Sequence, residues 1–121
     1  MYTDFTQMPV WQKAMEIGVR VFFLSNELPK KEDYALTAQI RRSAESISAN
    51  IAEGFGRSST KDKAQFYRIA RGSAFETKSH LIYGNLVGYF NKEDIDEIIR
   101  NIHELLRQIN SILKYLKSSA I

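Results

Sequence analysis

Residues Ile95 to Leu116 read IDEIIRNIHELLRQINSILKYL, and their spacing decides the fold class. Ile95, Ile102, Ile109 and Leu116 recur at a seven-residue period. So do Ile98, Leu105 and Ile112, and so do Ile99, Leu106 and Leu113. Three adjacent apolar columns at that period describe a helix with one broad apolar stripe and a left-handed, coiled-coil-like course. Fixing each residue costs about 1–2 kcal/mol of backbone entropy, which only burial of the stripe can offset. This helix therefore needs neighbours. Asn91 is placed to cap it, with Glu93 and Asp94 in its first turn to complement the dipole, and the pattern predicts a helix over about 92–117.

Outward from there, the two prolines punctuate the chain. Pro9 suits a first helical position, where a missing N–H costs nothing, and Pro29 ends the same helix. Between them (about 9–27) Val10, Ala14, Ile17, Val21, Leu24 and Leu28 form one stripe, with Trp11, Met15, Gly18 and Phe22 beside it. A second helix is predicted over about 34–53, led by Glu32 and Asp33, with Leu36, Ile40, Ala44, Ile47 and Ile51 as its apolar face. Gly54 is placed to supply a left-handed terminating residue. Ser59 or Thr60 then caps a third helix over about 60–86, with Asp62 three residues after Ser59. Short connections make successive helices antiparallel, so the expected architecture is all-α: an up-down-up-down four-helix bundle forming one domain over 1–121.

Small residues mark a second kind of contact. Ala70, Ser73, Thr77 and Gly84 recur along one side of the third helix. The second offers Ser43, Ser46, Ala49 and Asn50. Small faces allow close approach, so these two helices should be the tightest pair, their polar members satisfying one another. Arg42, Ser46, Asn50, Glu53, Ser73 and Glu76 are the candidates for such a structural polar cluster.

Composition excludes several classes. A chain of 121 residues that is 44% hydrophobic and 26% charged is globular rather than disordered. It has no cysteine, hence no disulfide, thiolate metal site or cysteine nucleophile. Met1 to Pro9 carries Asp4 and no apolar run, so it does not read as a signal peptide, and no stretch approaches membrane-spanning length. A cytoplasmic protein is the expectation. The histidines, His80 and His103, lack a glutamate three residues before them, so the Glu-x-x-His pairs of di-iron bundles are missing. No Gly-x-Ser-x-Gly turn or dinucleotide fingerprint occurs either. Neither an enzyme nor a cofactor is expected.

What remains is charge. The chain carries +3, but Ile40 to Lys78 holds Arg41, Arg42, Arg57, Lys61, Lys63, Arg68, Arg71 and Lys78 against Glu45, Glu53, Asp62 and Glu76. That stretch is +4 and the remainder −1. A basic middle suits an acidic partner. Arg41, Arg57, Lys61, Lys63, Arg68 and Arg71 are the candidate phosphate contacts. The loop Gly56 to Lys61 offers two cations and three hydroxyls at a helix start, as either a phosphate seat or a pair of caps. Arg41 and Arg42 have two readings as well: phosphate contacts, or structural partners of Glu45, Glu53 or Glu76, with Arg42 inward and Arg41 outward. Most aromatic residues read as core or oligomer contacts. Tyr67, next to Arg68, is the candidate base-stacking platform.

Val10-Trp11-Gln12-Lys13-Ala14, Gln39-Ile40-Arg41-Arg42-Ser43-Ala44 and Asn50-Ile51-Ala52-Glu53-Gly54-Phe55-Gly56-Arg57 together resemble a known family. It is the four-helix bundle family named for proteins encoded in intervening sequences of bacterial large-subunit ribosomal RNA genes. Phe66, Ala70, Ser73 and Glu76 match its third-helix pattern, while Ser48 departs from a proline common there. The resemblance covers about Phe5 to Leu116 and implies a ring of identical subunits, commonly five. It also implies relatedness to the accessory protein of diversity-generating retroelements, which associates with a reverse transcriptase and nucleic acid. Partners expected on this basis are other copies of the chain and RNA or DNA, with a protein-binding scaffold as the alternative.

Overall fold

Pro9 opens α1 (Pro9–Ser25) in the computed structural model, which describes residues 1–119. The domain expected over 1–121 thus ends on Ala120 and Ile121, which lie outside the described residues. Ahead of α1, Asp4 and Gln7 form a capping box around a single 3-10 turn, Phe5–Gln7. A second such turn, Lys30–Glu32, leads into α2 (Leu36–Gly56), where the Glu32 carboxylate accepts the Leu36 N–H at 3.3 Å. Ser59 Oγ accepts the Asp62 N–H at 3.1 Å and starts α3 (Thr60–Leu86). Asn91 does the same for Asp94 at the head of α4 (Lys92–Ser119). There is no strand among the described residues.

Each helix packs on two others, α2 on α1 and α3, α4 on α3 and α1. The diagonal pairs make no close backbone approach, so this is the expected up-down-up-down bundle. All three columns of α4 face inward: Ile95, Ile98, Ile102, Leu105, Leu106, Ile109 and Leu116 are buried, and Ile99, Ile112 and Leu113 pack at the rim. On α1 the stripe from Val10 to Leu24 is buried together with Leu28. Met15 and Phe22, in the adjoining column, face solvent.

The α2–α3 contact is the most extensive in the bundle. Thr77 donates to Ser43 Oγ at 2.9 Å, Ser73 donates to Ser46 Oγ at 3.0 Å, and Asn50 Nδ2 reaches the same Ser46 oxygen at 2.9 Å. Thr77 is fully buried, so a hydroxyl without these partners would be costly there. Two members of the expected small faces lie elsewhere. Ala49 points to solvent, and Gly84 is covered by Phe90.

Gly54 does not end the second helix. α2 continues through Gly56, and the only positive φ among the described residues belongs to Gly88, at 90°. Gly54 answers to packing: a Cβ there would stand 3.3 Å from Phe66 Cβ and 3.4 Å from the Lys63 carbonyl oxygen. The left-handed turn falls after α3 instead. Gly88 lets Tyr89 N–H return to Gly84 O at 2.8 Å and seats Phe90 under the helix end.

Candidate nucleic-acid interface

The six cations that stand out in the sequence divide into two groups. Three of them stabilise helix ends. Lys63 Nζ donates to the carbonyls of Phe55 (2.8 Å) and Gly54 (3.3 Å), closing the C-terminus of α2 where a cation meets the negative end of the dipole. Arg57 pairs with Glu53 at 2.9 Å and lies over the Phe66 ring at 4.6 Å. Arg41 reaches away from both, donating to Ser25 Oγ (2.6 Å) and Asn26 Oδ1 (2.7 Å) at the end of α1, and stacks on Phe22. The expected orientation of the arginine pair is therefore reversed. Arg41 is half-buried against α1, and Arg42 is exposed and donates to Gln39. Neither reaches Glu45, because Arg41 finds the oxygens at the end of α1 and Arg42 a neutral partner on its own helix.

Lys61, Arg68 and Arg71 form the second group. They lie along the N-terminal half of α3 on the side that faces α4, and there the two helices part into an open cleft of about 650 Å³. The facing wall of α4 contributes Lys114 and Lys117, and Ala64, Leu113 and Leu116 make an apolar floor. Five cations thus converge and no carboxylate lines the cleft among the described residues. Two of the five have neutral partners: Arg71 donates to Asn110 at 3.0 Å and Arg68 to Gln65 at 3.4 Å. The start of α3 at Thr60 adds the positive end of a helix dipole. Like charges held together without counter-charge favour an incoming anion, above all a polyanion that meets several of them at once.

Tyr67 is not a stacking platform. It is 3% exposed, its ring lies against Gly54, and burial pushes its phenol above the usual range. The polar cluster is only partly assembled: Ser46, Asn50 and Ser73 interact, whereas Arg42, Glu53 and Glu76 do not join them. Glu76 faces His80 at 3.1 Å, one turn along α3, and no group of three or more metal-ligating side chains occurs among the described residues. No helix among them is long and apolar enough to cross a membrane.

Lys114 and Lys117 escape a charge count made by segment. In a sum over the whole of α4 the acids, chiefly Glu93, Asp94, Asp96 and Glu97 at its other end, cancel the cations, these two lysines included. Their signal lies in the heptad pattern: both flank the apolar columns on the edge that must face a neighbour.

The molecule is thus a four-helix bundle with a cationic cleft at one end of its α3–α4 seam. The model of the 23S rRNA-intervening sequence protein family matches residues 6–111, and the chain belongs to that family. Among solved structures it is similar to a protein of unknown function from the S23 ribosomal protein family of Bacteroides thetaiotaomicron VPI-5482. The TM-score is 0.81 at 30% identity, over 87% of this chain and 98% of the other. No curated protein matches.

Proposed function

We propose that this chain is a non-catalytic, self-assembling helical module that holds RNA or DNA by the backbone phosphates in the α3–α4 cleft. The convergence of Lys61, Arg68, Arg71, Lys114 and Lys117 without a facing carboxylate carries this reading. An apolar floor under a row of cations suits a phosphate chain running along the cleft, and contacts to phosphates carry no sequence information. Membership of a family named for intervening sequences of 23S rRNA agrees with it. The ring of five copies that the family resemblance implies would bring a charge of about +15 to one assembly, from +3 per chain.

The test is binding to generic RNA and DNA at two salt concentrations. A fourfold rise in salt should weaken binding on the order of a hundredfold for about four phosphates contacted. Replacing Arg68 and Arg71 together by alanine should reduce the salt slope by about two. Absence of binding at low salt, or indifference to the double substitution, defeats the reading. The second reading, a protein scaffold that binds no nucleic acid, is favoured by the exposed apolar side chains of α1 and α3. Retention of one stoichiometric protein partner after nuclease treatment would support it.

A further inference from the structure

Two surfaces are apolar with nothing among the described residues to cover them. Along the outer edge of α1 beside α2, Met15, Val19 and Phe22 are 39%, 47% and 47% exposed and border a cavity of about 400 Å³. The edge is stiff, because Arg41 is stacked 4.6 Å over the Phe22 ring and tied to the end of α1. At the diagonal corner of the bundle, α3 turns Ile69, Phe75, Ile82 and Leu86 to solvent, with Phe75 55% and Leu86 78% exposed. Gly72 sits among them, in the interior of a helix of 27 residues, and a Cβ there would meet nothing within 4 Å. Glycine weakens a helix interior relative to alanine. No contact among the described residues accounts for it, unlike Gly54 and Gly84. A gap between large apolar side chains on an exposed helix face is a socket for a side chain from outside.

We infer that the two surfaces cover each other between copies: the α1 edge of one copy docks on the α3 face of the next, an apolar side chain of that edge lying over Gly72. This rests on the self-association proposed above and names its surfaces. A second copy is the occupant because the chain carries both halves on corners that cannot meet within it. The pitches agree, since Met15 to Phe22 and Phe75 to Ile82 are each a two-turn step. The charges agree as well. Glu45 lines the α1 groove, and Lys78 lies one turn from both Phe75 and Ile82. Neither has an ion-pair partner among the described residues. The two faces differ, so the contact is heterologous, and assembly passes beyond a dimer until a ring closes.

Complementation between two variants tests this by solution mass, without nucleic acid, so that the cationic cleft has no part in the result. Phe22→Glu disables the α1 edge and Phe75→Glu the α3 face. Both sites are exposed, and circular dichroism checks the fold. Should either variant misfold, Val19→Glu and Ile82→Glu take their places. The wild type should exceed a dimer, each variant alone should be a monomer, and an equal mixture should give a one-to-one heterodimer and nothing larger. Gly72→Ala should raise the thermal midpoint yet weaken assembly at least tenfold. A monomeric wild type overturns self-association itself. An assembled wild type with either variant still assembled, or a mixture that stays monomeric, overturns this pairing of faces alone. Unchanged assembly of Gly72→Ala removes the socket.

Discussion

α4 has two edges, and they treat charge in opposite ways. Against α1, opposite charges meet: Arg20 donates to Glu97, and Lys13 lies 3.4 Å from Glu104 and 3.4 Å from Asn101 Oδ1. Against α3, like charges meet, with Lys114 and Lys117 facing Lys61, Arg68 and Arg71. The first arrangement is complete within the chain. The second has no carboxylate lining it among the described residues. The cations of the α1 edge are therefore paired within the fold, whereas those of the α3 edge are the ones available to the proposed ligand, although both sets look alike in the sequence.

The largest effect that can break this contrast is a charge reversal in the cleft. Lys114→Glu combined with Lys117→Glu puts carboxylates opposite three cations. Nucleic-acid affinity at low salt should fall on the order of a hundredfold, since two attractions become repulsions. The thermal midpoint should hold or rise, because new ion pairs replace like-charge contacts. A lower midpoint would mean that these lysines support the fold, and the contrast would fail.

The same reversal on the opposite edge should do the reverse. Lys13→Glu gathers three carboxylates, its own beside Glu16 and Glu104, where Lys13 now stands between them with a side chain only 20% exposed. Stability should fall by about 1 kcal/mol, which for a domain of this size is about 4 °C in the thermal midpoint. Nucleic-acid affinity should not change. Thermal unfolding and binding measured on this variant and on the cleft variant test both edges.

The sequence made the helices readable, and the small-residue α2–α3 seam with them, but not the charged seam between α3 and α4. The columns of α4, Pro9, Ser59 and Asn91 act locally, through periodicity and capping, and each operates as its residue type dictates. Gly54 was ambiguous in principle: glycine ends helices and also admits close neighbours, and only Phe66 and Tyr67 crossing above it decide between the two. Arg41 and Tyr67 likewise have their roles fixed by other helices, one by the end of α1, the other by α2. Half of the cleft was visible as basic residues on the third helix. The other half is contributed by α4, some fifty residues further along, and a count by segment cannot see across a seam.

The smallest expected effect separates the two edges by pH. The hydrogen bond and charge of Arg20 hold the Glu97 carboxyl below its ordinary value of 4.5, while Glu97 raises the Arg20 guanidinium beyond its own high range. A carboxyl whose folded pKa is depressed binds its proton more readily in the unfolded chain, so its contribution is complete above 4.5 and is lost as pH falls through the folded value. Stability should therefore decline more steeply below pH 4.5 in the wild type than in Glu97→Gln. Asp4, held below its ordinary value of 3.8 by its hydrogen bonds from Thr6, loses its contribution in the lower part of that range, so Asp4→Asn must be measured alongside to isolate the Glu97 share. The difference should be slight, because the pair is exposed and screened by solvent. Lys114→Ala should run parallel to the wild type throughout, since no carboxylate lines its cleft among the described residues. Parallel curves for Glu97→Gln and the wild type would show that the Arg20–Glu97 pair is decorative, leaving Lys13 and the buried apolar side chains to hold that seam.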